Sequence, residues 1–591
     1  MRRFVVGLLA VIGFFTLLGV GGAVVVFSMA NSGRPTPPQR IVLEIDWRQL
    51  PQETAGGGLD LALLAPQKPT LSQTVTLLQR AAKDPRVAGL VATLGDDAPG
   101  YASVQELRDA VAAFRAAGKF AIATTESFEE GSGGLQNYYL ATAFEKIWLQ
   151  PSGDFGVVGL AAQVPFLKGA LDKLGVRAEG GQRMEYKTAP ESFTAAGMTP
   201  AHRENMQQLL DGLYDLVVAD IATARGLSVA DVRGLIDRAP LSAQEALQAK
   251  LVDKTLYRDE ARVEALLQAG EHADVFPIED YAELDKSQPP TGDTIALVVA
   301  SGTIVSGDPD DSPLQGESVL AVDRTVQLIE AAARDADVKA LVVRIDSPGG
   351  SYVASDTLRR ALEKAKAGGR PLIVSFGDVA ASGGYFAALP ADTIVAQPGS
   401  ITGSIGVFSI KPVVSNLLDT LGIKVETLTT GANATMSSPL HAFTPQQQAL
   451  LDRQLDRIYS DFTAKVSAAR KLDPARLDRA ARGRVFTGAQ AKAAGLVDET
   501  GGLSRALALA KTRAGIDAGR DVRIRRYPAE KEPLERVLDL VFSGGKPPRV
   551  SVMAATDAGA TTRALAQRLN VLGLHWRADT MRLPPLPPLW R

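Results

Sequence analysis

Apolar positions follow two alternating rhythms along most of the chain. Ile41 to Ile45, Val87 to Leu94 and Pro371 to Phe376 are short apolar runs that read as strands, while Ser103 to Ala117 places Val104, Leu107, Val111 and Phe114 at helical spacing. Repeated strand–helix units of this kind predict an α/β architecture. One segment departs from both rhythms: Phe4 to Phe27 is twenty-four residues without a charge. As a helix it would span about 36 Å, enough for a hydrocarbon core of about 30 Å. Arg2 and Arg3 stand immediately before it, and Arg34 and Arg40 lie several residues beyond. That bias predicts a cytoplasmic N-terminus and an exported bulk. Ser28-Met29-Ala30 is a passable cleavage site, but the run is long for a signal peptide, so an uncleaved anchor is the preferred reading.

The strand–helix pattern then starts a second time. Ala81-Ala-Lys-Asp-Pro-Arg-Val-Ala-Gly-Leu-Val91 returns as Ala332-Ala-Arg-Asp-Ala-Asp-Val-Lys-Ala-Leu-Val342, and Tyr139 to Pro151 returns as Phe386 to Pro398. Thr199-Pro200 and Thr444-Pro445 each open a long helical stretch, and Leu251-Val-Asp253 answers Leu496-Val-Asp498. These correspondences predict a tandem duplication of roughly 240 residues rather than a short solenoid repeat. The expected organisation is an anchor at 1–30, a first repeat at 31–285, a second at 286–527 and a tail at 528–591, with a polar, proline-containing joint at Asp285 to Thr294. The tail ends in Leu583-Pro-Pro-Leu-Pro-Pro-Leu589, which regular structure does not accommodate.

Composition narrows the chemistry. A chain of 591 residues with a net charge of −2 is long enough for more than one domain and gives no global reason to expect nucleic acid. Cysteine is absent, which excludes disulfides and thiolate nucleophiles. The four histidines, His202, His272, His441 and His575, do not pair at metal-ligand spacing, and no Walker-type phosphate loop occurs, so neither a metal nor a nucleotide cofactor is expected.

The candidate chemistry centres on Gly377-Asp378-Val379-Ala380-Ala381-Ser382-Gly383-Gly384-Tyr385-Phe386. A small serine at a strand-to-helix turn, followed by two glycines, can hold a nucleophile beside free backbone N–H groups. Residues 134 to 191 align with the second repeat without a gap at an offset of 247, which sets Ser382 opposite Leu135. A serine needs a base, and the histidines and acids in the sequence yield no convincing Ser-His-Asp set. A buried, neutral lysine is the alternative. Lys187, in Met184-Glu-Tyr-Lys-Thr188, falls opposite Ala434 at the same offset. One repeat thus keeps the lysine without the serine and the other the serine without the lysine. Reciprocal loss points to one composite site between the halves.

Asp346-Ser-Pro-Gly-Gly350, Ala380-Ala-Ser-Gly-Gly-Tyr385, Thr402-Gly-Ser-Ile-Gly406 and Tyr186-Lys187-Thr188 together resemble the signal peptide peptidase A family in its long, duplicated, membrane-anchored form. The resemblance covers nearly the whole chain apart from the tail. It implies tandem βα domains related to Clp protease and crotonase, and a serine peptidase with a serine–lysine dyad. It also implies a homotetrameric bowl on the periplasmic face of the cytoplasmic membrane, degrading cleaved signal peptides. Carried over residue by residue, Ser382 matches the nucleophile, Lys187 the general base and Ser404 the hydroxyl that orients the lysine. The N–H of Gly383 and one from Gly349-Gly350 match the oxyanion hole. The rival expectations are a noncatalytic membrane scaffold retaining the fold and, more remotely, a crotonase-like acyl-CoA enzyme, for which export would be the wrong setting.

Overall fold

The computed structural model describes residues 36–53, 68–95, 97, 100–128, 133–286, 292–307, 319–528 and 580–582. The expected anchor at 1–30, and the tail apart from residues 528 and 580–582, lie outside them. Among the described residues no helix is long and apolar enough to cross a membrane.

Two parallel sheets carry the fold. The first runs, strand by strand, Lys254–Thr255, Lys146–Leu149, Phe120–Thr125, Val87–Leu94, Arg40–Trp47 and Ala273–Pro277, all parallel. The second runs Glu499–Thr500, Thr393–Ala396, Leu372–Ala381, Val338–Ser347, Thr294–Ser301 and Arg523–Tyr527 in parallel order. Central strands such as Val87–Leu94 and Val338–Ser347 are buried almost throughout, because helices cover both faces. That is why their apolar runs are continuous rather than alternating. Each sheet has its own apolar core, and Val485 and Ile401 of the second half join the core of the first.

The long helical stretches appear as Pro200–Arg225 and Pro445–Arg470, each of 26 residues. Thr199 and Thr444 cap them by accepting the N–H groups of His202 and Gln447, and proline fills the first turn where a missing N–H costs nothing. The helix expected at Ser103 to Ala117 is found at Tyr101–Ala116.

The strand expected to end at Phe376 continues to Ala381, and the short helix after it begins at Gly383. It passes Gly377-Asp378-Val379 by bulging. Ile345 pairs with Phe376 and Ser347 with Ala380, so Asp346 alone stands opposite three residues. An Asp346 carboxylate oxygen accepts the N–H of Val379 at 3.0 Å and fixes the bulge. Glycine and aspartate are poor strand formers, so the apolar pattern stopped short of the strand's true end.

Two smaller ladders lie around the site. Thr303–Val305 pairs in parallel with Val319–Ala321 and with Gly349–Ser351, and Thr580–Arg582 runs antiparallel to Gly349–Ser351. Arg177–Arg183 of the first half runs antiparallel to Val407–Val413 of the second, with Arg183 opposite Val407.

Candidate active site

Strand register alone brings the candidate residues together. Leu372–Ala381 pairs in parallel with Ile401–Gly403, Ala381 standing beside Gly403, so the next residue on each strand is Ser382 and Ser404. The Ser382 N–H is tied to the Gly403 carbonyl at 2.8 Å. The antiparallel ribbon of Arg177–Arg183 with Val407–Val413 supplies the third member. Four residues beyond Arg183 lies Lys187, and four before Val407 lies Gly403, so a chain leaving the ribbon is delivered to Ser404.

The Lys187 amine nitrogen, Nζ, sits 2.9 Å from Ser382 Oγ, 2.8 Å from Ser404 Oγ and 3.0 Å from the Ser404 carbonyl oxygen. None of these partners is a carboxylate. Lys187 is 1% exposed, and burial alone pushes its amine down from 10.5 to about 7. A neutral amine has two N–H donors and one lone pair. Ser404 Oγ and the Ser404 carbonyl can take the two donors, leaving the lone pair for the Ser382 hydroxyl.

Ser382 is fully buried in this conformation, with φ 54° and ψ −115°, a strained geometry for a residue with a side chain. Such strain holds a hydroxyl at the tip of a strand-to-helix turn. Ser404 also has positive φ, at 52°. Gly383 opens the helix Gly383–Ala388, where the first N–H groups have no intrahelical acceptor. A Cβ added to Gly383 would lie 3.2 Å from the Gly350 nitrogen and 3.3 Å from the Gly349 Cα, so the three glycines are close neighbours. The Gly349 N–H is donated to Ser347 Oγ at 3.2 Å. All six residues singled out in the sequence therefore fall within one locality. Neither His202 nor His441 joins them: His202 Nδ1 lies 2.9 Å from Glu191, and His441 Nε2 lies 3.1 Å from Thr427 Oγ1.

Sequence reading missed the strap Arg482-Gly483-Arg484. The Arg482 carbonyl accepts the N–H of Tyr186 at 3.2 Å, and the Arg484 carbonyl accepts that of Ser404 at 2.6 Å. Gly483 adopts φ +87° and presses on Lys187: a Cβ there would lie 2.3 Å from the Lys187 backbone nitrogen. Arg482 pairs with both Glu185 oxygens at 2.8 and 3.0 Å, and the Arg484 guanidinium lies 3.5 Å from the centre of the Tyr186 ring. The strap holds the lysine turn and the Ser404 turn against each other. In sequence it looks like an ordinary basic turn.

Behind the serine lies a buried charge cluster shared by the halves. Arg344, fully buried, donates to Glu53 and Glu106 at 2.7 Å each, and to Ser375 Oγ and the Phe376 carbonyl at 2.8 and 2.6 Å. Burial disfavours its charge, yet the two glutamates hold its guanidinium above the ordinary range. Burial pushes the Glu106 carboxyl up to about 7, and burial together with neighbouring Asp378 pushes Asp346 to about 7.

Comparison with known proteins places the chain in a family. The model of peptidase family S49 matches residues 113–272 and again 364–517. The chain is 33% identical over 488 residues to Protease 4 of Salmonella typhi, covering 80% of this chain and 76% of that protein. It is 31% identical to the chloroplastic serine protease SPPA of Arabidopsis thaliana, covering 75% of this chain and 65% of that protein. Protease 4 of Haemophilus influenzae is 30% identical, with 75% of this chain and 72% of that protein covered. On the family match in both halves and on similarity across most of its length, the chain belongs to peptidase family S49.

Proposed function

We propose that the protein is a serine endopeptidase with a Ser382–Lys187 dyad, acting on signal peptides left in the membrane after cleavage. One observation carries the dyad: a buried lysine amine without a carboxylate partner, 2.9 Å from a strained serine hydroxyl. Neutral Lys187 accepts the Ser382 proton as Oγ attacks the peptide carbonyl carbon, and the carbonyl electrons move onto its oxygen. The N–H of Gly383 and one from Gly349-Gly350 face that oxyanion, each such donor contributing about 3 kcal/mol in comparable sites. When the C–N bond breaks, the lysine returns its proton to the leaving amine. A water molecule, deprotonated by the same amine, then attacks the acyl carbon; the ester bond to Ser382 Oγ breaks, the lysine passes its proton to Oγ, and the serine is restored. Ser404 keeps the amine aimed. Every proton transfer in this scheme is made by the chain's own groups.

The substrate class rests on the resemblance and on relatives named as Protease 4 and SPPA. The rest of the reading joins it: a tandem duplication, an N-terminal anchor through Phe4 to Phe27, and a catalytic bulk on the periplasmic side. Self-association as a homotetramer belongs to the same proposal. Its support is an asymmetry between the repeats. Arg177–Arg183 is paired, whereas 424–430, its equivalent at the offset of 247, forms no strand and leaves Val425 50% and Leu428 99% exposed. A second copy of the chain would cover it.

The test is digestion of a synthetic signal peptide by wild type and Ser382→Ala, with fragments identified by mass, beside labelling with a serine-directed acylating probe. Wild type should cut and label, and Ser382→Ala should do neither. Equal labelling of both would overturn the assignment.

A further inference from the structure

The bulge Gly377-Asp378-Val379 lies immediately before Ala380-Ala381-Ser382, so whatever fixes the bulge fixes the nucleophile. Within its own half it is held by Asp346 on the Val379 N–H and by Ser400 Oγ donating to the Gly377 carbonyl at 2.8 Å. The Asp378 side chain leaves that half. One carboxylate oxygen accepts the Ser103 N–H at 2.8 Å and the other accepts the Ser103 hydroxyl at 2.5 Å.

Ser103 is in the first turn of the first-half helix Tyr101–Ala116, whose cap position is Gly100. Glycine has no side chain to satisfy the orphan N–H groups, and this first turn carries no acid of its own. Asp378 supplies the missing cap from the other half. The approach is close enough that a Cβ on Gly100 would lie 2.1 Å from the Asp378 carboxyl carbon. Burial pushes the Asp378 carboxyl above its ordinary value while the two Ser103 donors pull it down.

We propose that Asp378 is a positioning residue: it caps the first-half helix Tyr101–Ala116 across the interface and so holds Ser382 at the distance from which Lys187 can take its proton. The dyad is split between the halves, and only contacts that cross between them can set its spacing. The ribbon of Arg177–Arg183 with Val407–Val413 is such a contact on the lysine side; on the serine side the Asp378 cap acts on the bulge itself, beyond the Arg344 cluster that grips the Phe376 carbonyl. The inference rests on the peptidase reading above and adds a residue that does not touch the reacting atoms.

The test uses the full chain and a fluorophosphonate probe, measuring both the rate constant of acylation and the final fraction of chains labelled. Asp378→Ala should slow acylation by roughly 10–100-fold, the scale of an ångström's misplacement, while the labelled fraction at completion matches wild type. Asp378→Asn keeps an acceptor for the Ser103 N–H and should recover most of the rate. The pH midpoint of acylation should stay near 7 in both variants, because burial alone sets the Lys187 amine. An unchanged rate would overturn the proposal. So would a labelled fraction that falls in step with the rate, which is the signature of a merely structural role. If Asp378→Ala does not fold, Ser103→Ala removes only the hydroxyl donor. It should slow acylation less, and its loss should not add to that of Asp378→Asn; additive losses would overturn the coupling. Wild type that labels no better than Ser382→Ala removes the peptidase reading and this proposal with it, whereas wild-type labelling matched in rate by Asp378→Ala removes only the latter.

Discussion

The turn at Leu135 and the turn at Ser382 share a scaffold and differ in what fills it. In the first half the Tyr138 hydroxyl donates to the Leu251 carbonyl at 2.8 Å, and in the second the Tyr385 hydroxyl donates to the Leu496 carbonyl at 2.9 Å. Asp253 accepts the Ile147 N–H and pairs with Arg225; Asp498 accepts the Ile394 N–H and pairs with Arg470. The framework that seats each short helix on its sheet is therefore the same. At the turns themselves the chemistry parts company. Leu135 and Val157, which correspond to Ser382 and Ser404, are buried in an apolar core where Phe128, Tyr138 and Phe155 stack edge to face at 4.6–6.1 Å. The second-half turn keeps two hydroxyls and borrows its amine from the first. Where one half is apolar core, the other holds a buried cluster of polar groups, and the amine of that cluster comes from the first half.

The largest effect that could break this comparison comes from the borrowed amine. Lys187→Ala and Ser382→Ala should each abolish peptide cleavage, with losses on the order of 10³-fold or more, while chain association measured by light scattering is retained. A fully active Lys187→Ala would end the composite-site idea.

The next effect is graded with pH. With the Lys187 amine near 7, kcat/KM should rise about tenfold per unit below that value and level off above it. A profile still rising at pH 9 would mean that the lysine is not the buried base described. Stability has its own sign. The unfolded chain holds the lysine proton up to about 10.5 and the folded chain only to about 7, so this residue's contribution to stability is constant below 7 and increases from there to about 10.5. Denaturant midpoints of wild type against Lys187→Met across that window would show the difference.

A smaller effect sharpens the contrast between the turns. Ser404→Val installs the residue that the first half carries at Val157. It removes one of the three contacts of the amine and leaves the Ser404 carbonyl, so kcat should fall roughly 10–100-fold with KM little changed. The smallest effect is none. Leu135→Ser restores a hydroxyl to the first half, yet its partner position, Ala434, is exposed and lacks an amine. Acylation at residue 135, followed by mass spectrometry of a Ser382→Ala background, should be undetectable.

Much of this arrangement was legible before any fold was known. The alternation of buried strands and amphipathic helices gave the α/β class, and the threonine–proline pairs gave the starts of both long helices. Internal comparison paired Ser382 with Lys187 across a separation of 195 residues. The strap at Arg482-Gly483-Arg484 and the cap supplied by Asp378 were not legible. Both work through contacts between segments remote in the chain, Gly483 against the Lys187 backbone and Asp378 against Ser103, and nothing in local periodicity marks them.

The sequence by itself determined which groups were available: one serine turn without its base, one lysine without its serine, and no cysteine to compete. Local rules suffice for that, because strand and helix patterns and glycine-rich turns are written in neighbouring residues. Only the tertiary structure decided that these groups meet. A lysine amine becomes a base near neutral pH through burial, and burial depends on what the rest of the chain packs around it. Here that is set by two registers, Ala381 beside Gly403 and Arg183 opposite Val407, which together place one amine between two hydroxyls.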